Sequence, residues 1–303
     1  MILDNIDGVI LGKRPIAKVL LAALLAGGHV LLDDVPGTGK TMMARSFARS
    51  MSCTFRRIQF TPDLLPSDII GVNVYNRKTS EFEFKPGPIF ASVVLADEIN
   101  RASPKVQSSL LECMEEGQIT VDGVVHCLPE IFFVVATENP VEQEGTYPLP
   151  ESQKDRFMVR LKLGYPSPSQ ERQMIELHRV RHPIEGVESV ASPADIMDMR
   201  RDLQAISIDE TVEEYIVNLV NYTRESRDLV LGASPRATLA LFKMSRSIAS
   251  LSGRSYVLPD DVKELAGPVL AHRVIVDPVA QMNGLSADEV ISNILENVPV
   301  PIP

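Results

Sequence analysis

The segment HVLLDDVPGTGKTMMARSFA, residues 29–48, decides the fold class of this chain. Its first part, HVLLDD, is a short apolar run typical of a parallel strand that is buried on both faces. Gly-Thr-Gly-Lys-Thr follows at residues 37–41, and the residues after it predict a helix. A strand, a glycine-rich loop and a helix in this order are typical of a phosphate-binding loop, whose backbone N–H groups and helix N-terminus cradle phosphates.

One position departs from the usual form of this loop, because Asp34 stands where Gly-x-x-x-x-Gly-Lys-Ser/Thr has its first glycine. Position 34 opens the loop, and Asp is among the residues that tolerate unusual backbone angles. Gly37 and Gly39 allow the tight turn, Lys40 can reach the β- and γ-phosphates, and the Thr41 hydroxyl can bind Mg²⁺. We therefore predict a working nucleotide site despite Asp34.

Composition and charge narrow the class of protein. The chain has 303 residues, 45% hydrophobic and 23% charged, which suits a globular protein of two modest domains. No apolar run approaches the roughly 18 residues that span a bilayer, and the N-terminal MILDNIDGVILGKRP lacks the features of a signal peptide. A net charge of −10 argues against non-specific binding to nucleic acid or anionic membranes. We expect a cytoplasmic protein with no membrane partner.

The cysteines and histidines give no sign of a metal centre. Cys53, Cys113 and Cys127 form no C-x-x-C pair, which fits a reducing compartment. We expect all three to be small buried apolar residues. The histidines are scattered, without the spacing of metal ligands.

The remaining strand signals predict an α/β domain. TFRRIQF, SVVLADE, IFFVVATE and MVRLKLGYP are strand candidates that alternate with helical segments, which favours a five-stranded, mainly parallel sheet. After YPSPSQERQ the pattern becomes helical. We therefore predict an α/β core at residues 1–164 and a small all-α domain at residues 165–303.

Two predicted hairpins interrupt the alternation of strands and helices. Residues 71–85 contain two short strands around a polar turn, and residues 117–128 contain a second pair closed at Asp122-Gly123. Both are insertions into the sheet domain rather than members of its sheet. They can be decorative edge structure or places that grip a substrate, and the sequence does not say which hairpin makes such contact.

Polar residues at the ends of two buried strands are the next candidates. Asp97 and Glu98 end SVVLADE, and the carboxyl ends of parallel strands form the active edge of such a sheet. We expect Asp97 to hold Mg²⁺ through water and Glu98 to act as general base towards the attacking water. Asn139, after FFVVATE, is a candidate for positioning that water. A helix-capping pair at Asp97-Glu98 and a simple turn at Asn139 before Pro140 are the structural alternatives.

Two arginines complete the candidate catalytic set. Arg156, in LPESQKDRF, is a candidate arginine finger that stabilises charge on the transferred phosphoryl group of a neighbouring subunit. An ordinary salt bridge involving Asp155 and Arg160 is the alternative. Arg236, in GASPRATLALF, stands in the first turn of a predicted helix and could contact the γ-phosphate. Its alternative is an ordinary surface arginine.

These motifs together closely resemble those of the MoxR family of AAA+ ATPases. The resemblance covers nearly the whole chain, and its central segments are highly specific. Openings of the EDVPG type look common in that family, so DDVPG with Asp34 fits it. The matching segments are VILG (9–12), LLDDVPGTGKT (31–41), FTPDLLPSDIIG (60–71), LADEINRASPKVQSSLLECMEEGQITVDG (95–123), VVATENPVEQEGTYPLPESQKDRFM (134–158), GASPRATLAL (232–241) and GLSADEVISNILENVPVP (284–301).

The resemblance implies a site and an assembly. It implies an AAA+ P-loop core with a helical lid, and a homo-oligomeric ring, a hexamer, with ATP held between neighbours. It makes Asn139 sensor 1, Arg156 the finger and Arg236 sensor 2, acting on its own or on a neighbouring site. Under this interpretation ATP and Mg²⁺ are the cofactors. The predicted nucleotide-binding residues are Gly12, Asp34, Val35, Pro36, Gly37, Thr38, Gly39, Lys40, Thr41 and Met42, with Thr41 and Asp97 as metal ligands.

The function implied by the resemblance is that of a chaperone-like motor. Hydrolysis of ATP would remodel or mature client proteins or complexes, with metalloenzymes among the possible clients and a protein with a von Willebrand factor A domain as partner. Two alternatives stay open. One is a motor that acts on nucleic acid, for which Arg77 and Lys78 give a thin basic signal offset by Glu81 and Glu83. The other is a nucleotide-gated scaffold with slow turnover.

Overall fold

The secondary structure follows the alternation expected from the sequence. The computed structural model describes residues 1–33, 35–139, 145–179 and 183–301. The strands are β1 (Val30–Asp33), β2 (Phe55–Gln59), β3 (Gly71–Asn76), β4 (Glu81–Pro86), β5 (Val93–Asp97), β6 (Gln118–Val121), β7 (Val124–Cys127), β8 (Phe133–Glu138), β9 (Val159–Leu161), β10 (Leu229–Leu231) and β11 (Ile275–Val276). The helices are α1 (Ile2–Asp7), α2 (Arg14–Leu25), α3 (Lys40–Ser50), α4 (Pro66–Ile70), α5 (Pro104–Glu116), α6 (Glu151–Lys154), α7 (Pro168–His178), α8 (Pro193–Asp202), α9 (Glu210–Glu225), α10 (Pro235–Leu251), α11 (Pro259–Leu270), α12 (Pro278–Met282) and α13 (Ala287–Asn297).

A five-stranded sheet forms the centre of the fold, with the strand order β2-β5-β8-β1-β9. The pairs β2–β5 and β5–β8 are parallel. Every residue of β5 is buried, as the unbroken apolar pattern VVLA before Asp97 requires. The five predicted strands and their mainly parallel arrangement are therefore confirmed. In this arrangement the strands β2, β5 and β8 end at one edge of the sheet.

The chain forms two compact units. The first contains residues 1–17, 31–156 and 162–197, and the second contains residues 18–30, 157–161 and 198–303. In the first unit, residues near the N-terminus and after the sheet meet through Asn5, whose amide donates to the carbonyl of Glu188 at 2.8 Å. Because the units interleave along the chain, they do not correspond to a single boundary, and the division at residues 164 and 165 stays a prediction.

Helices dominate the second unit, as predicted. Helix α11 packs with α9, α10 and α13, and side chains cap several helices in the manner expected from their sequences. Asp209 and Ser234 accept hydrogen bonds from the backbone N–H groups of Thr211 and Arg236. The sequence prediction missed a small antiparallel sheet formed by β10 and β11. These strands are three and two residues long, too short to show a two-residue periodicity.

Both predicted hairpins are present in the first unit. Strands β3 and β4 pair antiparallel around the turn at residues 77–80, and β6 and β7 pair around Asp122-Gly123. Both residues of that turn have positive φ, 49° and 81°, as a two-residue hairpin turn of this type requires. Among all helices in the described part of the chain, none is long and apolar enough to cross a membrane.

Candidate active site

The glycine-rich loop leads directly into α3, which begins at Lys40. Gly37 and Gly39 have φ angles of 85° and 93°, in the left-handed region that side chains disfavour. A Cβ at Gly39 would also come within 3.3 Å of Ile10 Cδ1, a tight but adjustable contact, so the backbone angle is the stronger reason for this glycine. The Lys40 ammonium donates to the Val35 carbonyl at 2.9 Å, which holds its side chain along the loop.

Asp97 and Glu98 lie where β5 ends, beside the end of β8. Thr137 of β8 links them, because its hydroxyl donates to Asp97 Oδ1 at 2.7 Å and accepts from the Glu98 N–H at 2.8 Å. Glu98 has a φ of 58° and a ψ of 50°, a left-handed conformation that is uncommon for a residue with a side chain. Such strained positions cluster at functional sites. These hydrogen bonds with Thr137 do not support the alternative in which Asp97 and Glu98 serve only to cap a helix.

Two side chains of β2 extend the polar contacts around the carboxylates. Arg57 donates to Asp97 Oδ2 from Nη2 at 2.6 Å and from Nε at 2.9 Å. Gln59 donates to Glu98 Oε2 at 2.6 Å, and Arg101 donates to the same oxygen at 3.1 Å. Each carboxylate of the candidate site is therefore hydrogen-bonded to side chains from a neighbouring element.

These groups line one cleft of about 340 Å³. Because the cleft is lined by a phosphate-binding loop on one side and by carboxylates and amides on the other, its chemistry suits a nucleoside triphosphate. The lining residues are Pro36, Gly37, Gly39, Lys40, Thr41, Met42, Arg57, Asp97, Glu98, Thr137 and Asn139.

Four predicted nucleotide or water ligands need separate description. Asn139 is buried and lines the cleft, and its carbonyl accepts from the Asn100 amide at 3.4 Å. Thr38 is buried, with its hydroxyl donating to the Val35 carbonyl at 3.3 Å. Gly12, with a φ of 70°, lies against Gln170 of α7 and not in the described lining of the cleft. Asp34 lies outside the described residues.

Neither of the two predicted catalytic arginines is among the described lining residues. Arg156 forms an ion pair with Glu115 of α5, with Nη1 and Oε2 3.1 Å apart. Arg160, a suggested member of a local salt bridge, pairs with Asp288 at 3.7 Å. Arg236 belongs to the second unit, where it is exposed in the first turn of α10. The finger and sensor roles of these arginines stay predictions.

The sequence analysis missed Arg57, Gln59, Arg101 and the linking role of Thr137. A signal for the first two was present, since Arg57 and Gln59 are two residues apart in FRRIQ and so project from one face of the strand. This pattern could point to the site only if β2 were already known to lie next to β5. The register places Gln59 opposite Asp97, although the two residues are far apart in sequence.

The cleft has the donor set of a magnesium site. The Thr41 hydroxyl and the Asp97 carboxylate offer hard oxygen ligands in one place. Within the described ranges, no cluster of three His, Cys, Asp or Glu residues suits a metal ion. Mg²⁺ is usually bound by one or two carboxylates together with substrate phosphates rather than by a complete protein cage. The residues present therefore fit Mg²⁺.

The expectation for the cysteines was wrong in part. Cys113 of α5 is buried, whereas Cys127 of β7 is exposed and Cys53 is intermediate. Cys127 lies in a hairpin that lies outside the central sheet, which explains why it is not covered.

Comparison with known proteins identifies the family. Residues 29–159 match the family model described as "ATPase family associated with various cellular activities (AAA)", and residues 221–294 match the AAA lid domain. A solved structure of a protein from Cytophaga hutchinsonii, assigned as an ATPase, superimposes with a TM-score of 0.93 and 40% sequence identity. The match covers 99% of this chain and 94% of that chain.

Two curated relatives extend over almost the whole chain. The uncharacterised protein YeaC of Bacillus subtilis is 52% identical, covering 99% of this chain and 93% of the relative. Chaperone MoxR1 of Mycobacterium tuberculosis is 41% identical, covering 98% of this chain and 81% of the relative. The chain therefore belongs to the MoxR family of AAA+ ATPases and is an ATP-hydrolysing enzyme with a P-loop.

Proposed function

We propose that this ATPase is a Mg²⁺-dependent, chaperone-like motor that uses ATP hydrolysis to remodel or mature client proteins. The observation that carries the proposal is the single cleft shared by Lys40, Thr41, Asp97, Glu98 and Asn139. The relative MoxR1 is named a chaperone, which supports the proposed action on client proteins. The cytoplasm is the compartment we propose for it.

The residues of the cleft have distinct roles in hydrolysis. Lys40 and the loop backbone bind the phosphates, while Thr41 and Asp97 would hold Mg²⁺, which neutralises charge on the phosphates when bound. Glu98 accepts a proton from the attacking water, and Asn139 orients that water. Thr137 fixes the Asp97 carboxylate relative to the backbone of Glu98 through its bonds to Asp97 Oδ1 and the Glu98 N–H. The site is therefore positioned before substrate binds.

A ring of identical subunits would complete the site. Arg156 pairs with Glu115 and is not among the described residues that line the cleft of its own chain. An arginine in such a place suits a finger that reaches the nucleotide of a neighbour. We propose a homo-oligomeric ring, a hexamer by the family resemblance, in which Arg236 senses the γ-phosphate of its own or a neighbouring site.

The two hairpins supply a surface for clients. Phe84 of β4 stacks on His126 of β7 with ring centroids 3.9 Å apart, and Asn73 donates to Asp122 at 2.7 Å. These contacts join β3–β4 and β6–β7 into one structure, which we call the paired-hairpin surface. Its exposed apolar side chains are Val72, Val74, Tyr75, Phe82, Val124 and Val125.

Exposed apolar residues at this density favour a protein client over nucleic acid. Phosphate recognition rewards clustered Lys and Arg, but Arg77 and Lys78 on this surface are accompanied by Glu81 and Glu83, and the Lys85 ammonium lies 3.9 Å from Glu83. An unfolded segment of a client would instead cover the apolar side chains. We propose further that a protein with a von Willebrand factor A domain acts as partner, and that metalloenzymes are among the clients.

The proposal is tested by measuring the ATPase rate with a permanently unfolded protein, reduced and carboxymethylated α-lactalbumin. We expect a saturable, several-fold stimulation that requires Mg²⁺ and persists at high salt. Stimulation by single-stranded DNA that falls steeply with salt would instead favour the nucleic-acid motor. Turnover slower than minutes per ATP and unaffected by either addition would favour the scaffold.

A further inference from the structure

Arg57 occupies a place in the cleft that phosphate binding and water activation do not explain. It is on β2, the edge strand of the central sheet, two residues before Gln59. The parallel register sets Gln59 opposite Asp97 on β5, so both β2 side chains lie near the end of β5. Arg57 lines the same cleft as the phosphate-binding loop.

The contacts of Arg57 satisfy one oxygen of Asp97, and Thr137 satisfies the other. The guanidinium donates twice to Oδ2, at 2.6 and 2.9 Å, and the Thr137 hydroxyl donates to Oδ1 at 2.7 Å. The guanidinium of Arg57 is a cation that holds Asp97 through two N–H donors. The carboxylate assigned to Mg²⁺ is thus already paired with a cation of the chain.

The two partners differ in their freedom to move. The Asp97 side chain is only 12% exposed, whereas that of Arg57 is 48% exposed. Arg57 can therefore swing into solvent without opening the core, while Asp97 cannot. Gln59 holds the guanidinium in its present place by accepting from Nη2 at 2.6 Å, so the paired position of Arg57 is a defined one.

We propose that Arg57 is a positioning residue that substitutes for the metal cation at Asp97 and leaves Asp97 when the metal–nucleotide complex binds. Two cations beside one carboxylate repel each other, so pairing with Arg57 and binding of Mg²⁺ near Asp97 would compete. The ion pair with Arg57 keeps the Asp97 carboxylate in place before substrate binds, and it lowers the affinity of the site for Mg²⁺. The inference rests on the proposed role of Asp97.

The test is the Mg²⁺ dependence of binding of a fluorescent, non-hydrolysable ATP analogue, followed by fluorescence at rising Mg²⁺. For Arg57→Gln we expect the half-saturating Mg²⁺ concentration to fall about two- to fivefold, the upper part of the range for losing one partly exposed ion pair. Arg57→Lys keeps the charge but loses the two-pronged contact, so its half-saturation is expected between those of wild type and Arg57→Gln.

Arg56→Gln is the matched control, because Arg56 is the adjacent arginine and faces the opposite side of β2 near Phe90. It removes the same charge and should leave the Mg²⁺ dependence unchanged. Equal shifts for Arg56→Gln and Arg57→Gln would mean a general charge effect and overturn the inference. Weaker analogue binding in Arg57→Gln with and without Mg²⁺ would also overturn it, since Arg57 would then be a phosphate ligand.

A further variant separates this inference from the proposed function. Asp97→Asn should raise the Mg²⁺ concentration needed for binding. If it does not, the metal role proposed for Asp97 is wrong. If it does, while Arg57→Gln leaves half-saturation unchanged, the proposed function survives and the role of Arg57 is refuted.

Discussion

The nucleotide cleft and the paired-hairpin surface are built in opposite ways, although both belong to the first compact unit. In the cleft, Asp97 and Thr137 are buried and held by several hydrogen bonds between adjacent strands. On the paired-hairpin surface, Phe82 is 72% exposed and Val124 is 55% exposed. The cleft is thus built from fixed polar groups, whereas the hairpins present accessible apolar ones, which suits the contact with clients that we propose.

A large loss of turnover is expected at Arg156, the arginine proposed to complete the cleft of a neighbouring subunit. Arg156→Ala should lower the turnover of ATP about 10³-fold, the lower range for loss of an arginine finger. Mixing this variant with Lys40→Ala subunits should restore part of the activity, because each variant supplies what its neighbour lacks. Steady-state ATPase rates of the two variants, alone and mixed, measure this.

Glu115→Gln is the control for Arg156, because it removes the same ion pair and leaves the arginine in place. It should keep most of the activity. If Glu115→Gln were as inactive as Arg156→Ala, or if mixing restored nothing, Arg156 would have a local structural role in its own subunit.

A smaller effect is expected on the paired-hairpin surface. Phe82→Ser should leave the basal ATPase rate near that of wild type, because Phe82 is exposed and contacts Tyr75 rather than the cleft. It should remove most of the several-fold stimulation by carboxymethylated α-lactalbumin. Val230→Ser, an exposed apolar residue of the second unit, is the matched control. Unchanged stimulation in Phe82→Ser would exclude this surface as the client site.

The stacking of Phe84 on His126 should contribute about 0.5–1.5 kcal/mol to the free energy of unfolding, the range for a stacked aromatic pair. A double-mutant cycle with Phe84→Ala and His126→Ala, measured by urea unfolding, yields this coupling energy. Stimulation of the ATPase rate by the client should also fall in each single variant, because the two hairpins would no longer form one continuous surface. A coupling energy near zero would mean that the stacking of Phe84 on His126 does not hold the hairpins together.

The smallest expected effect concerns the reactivity of two cysteines. Cys113 is buried, like the polar groups of the cleft, and Cys127 is exposed, like the apolar side chains of the paired-hairpin surface. Burial, with a contribution from Glu112, raises the pKa of the Cys113 thiol to about 12. Little of it is thiolate at pH 8, and its access is blocked, so native Cys113 should resist iodoacetamide. Exposed Cys127 should react first. Mass spectrometry of the alkylated native protein checks the order, and rapid labelling of Cys113 would contradict its burial.

The parts of the site that lie within continuous motifs could be predicted from the sequence. Gly37, Gly39 and Lys40 form one loop, and Asp97 follows an apolar strand, so local pattern and strand direction suffice. Arg57 and Gln59 could not be assigned in this way. Their contacts depend on β2 lying next to β5, a neighbour relation that a single strand pattern does not contain.

The same limit applied to the hairpins. Each was predicted from its own turn residues, but the stacking of Phe84 on His126 depends on how two insertions meet in space. The short strands β10 and β11 were missed because their pairing, rather than their sequence pattern, defines them.

Glu98→Gln tests the central claim, hydrolysis of ATP in this cleft, most directly. The substitution keeps the size of the side chain and its ability to hydrogen-bond, but removes the base that accepts a proton from water. We expect the fluorescent ATP analogue to bind with nearly wild-type affinity, while single-turnover hydrolysis of ATP slows about 10²- to 10⁴-fold. Hydrolysis at the wild-type rate would contradict the account, because the general base would then lie elsewhere.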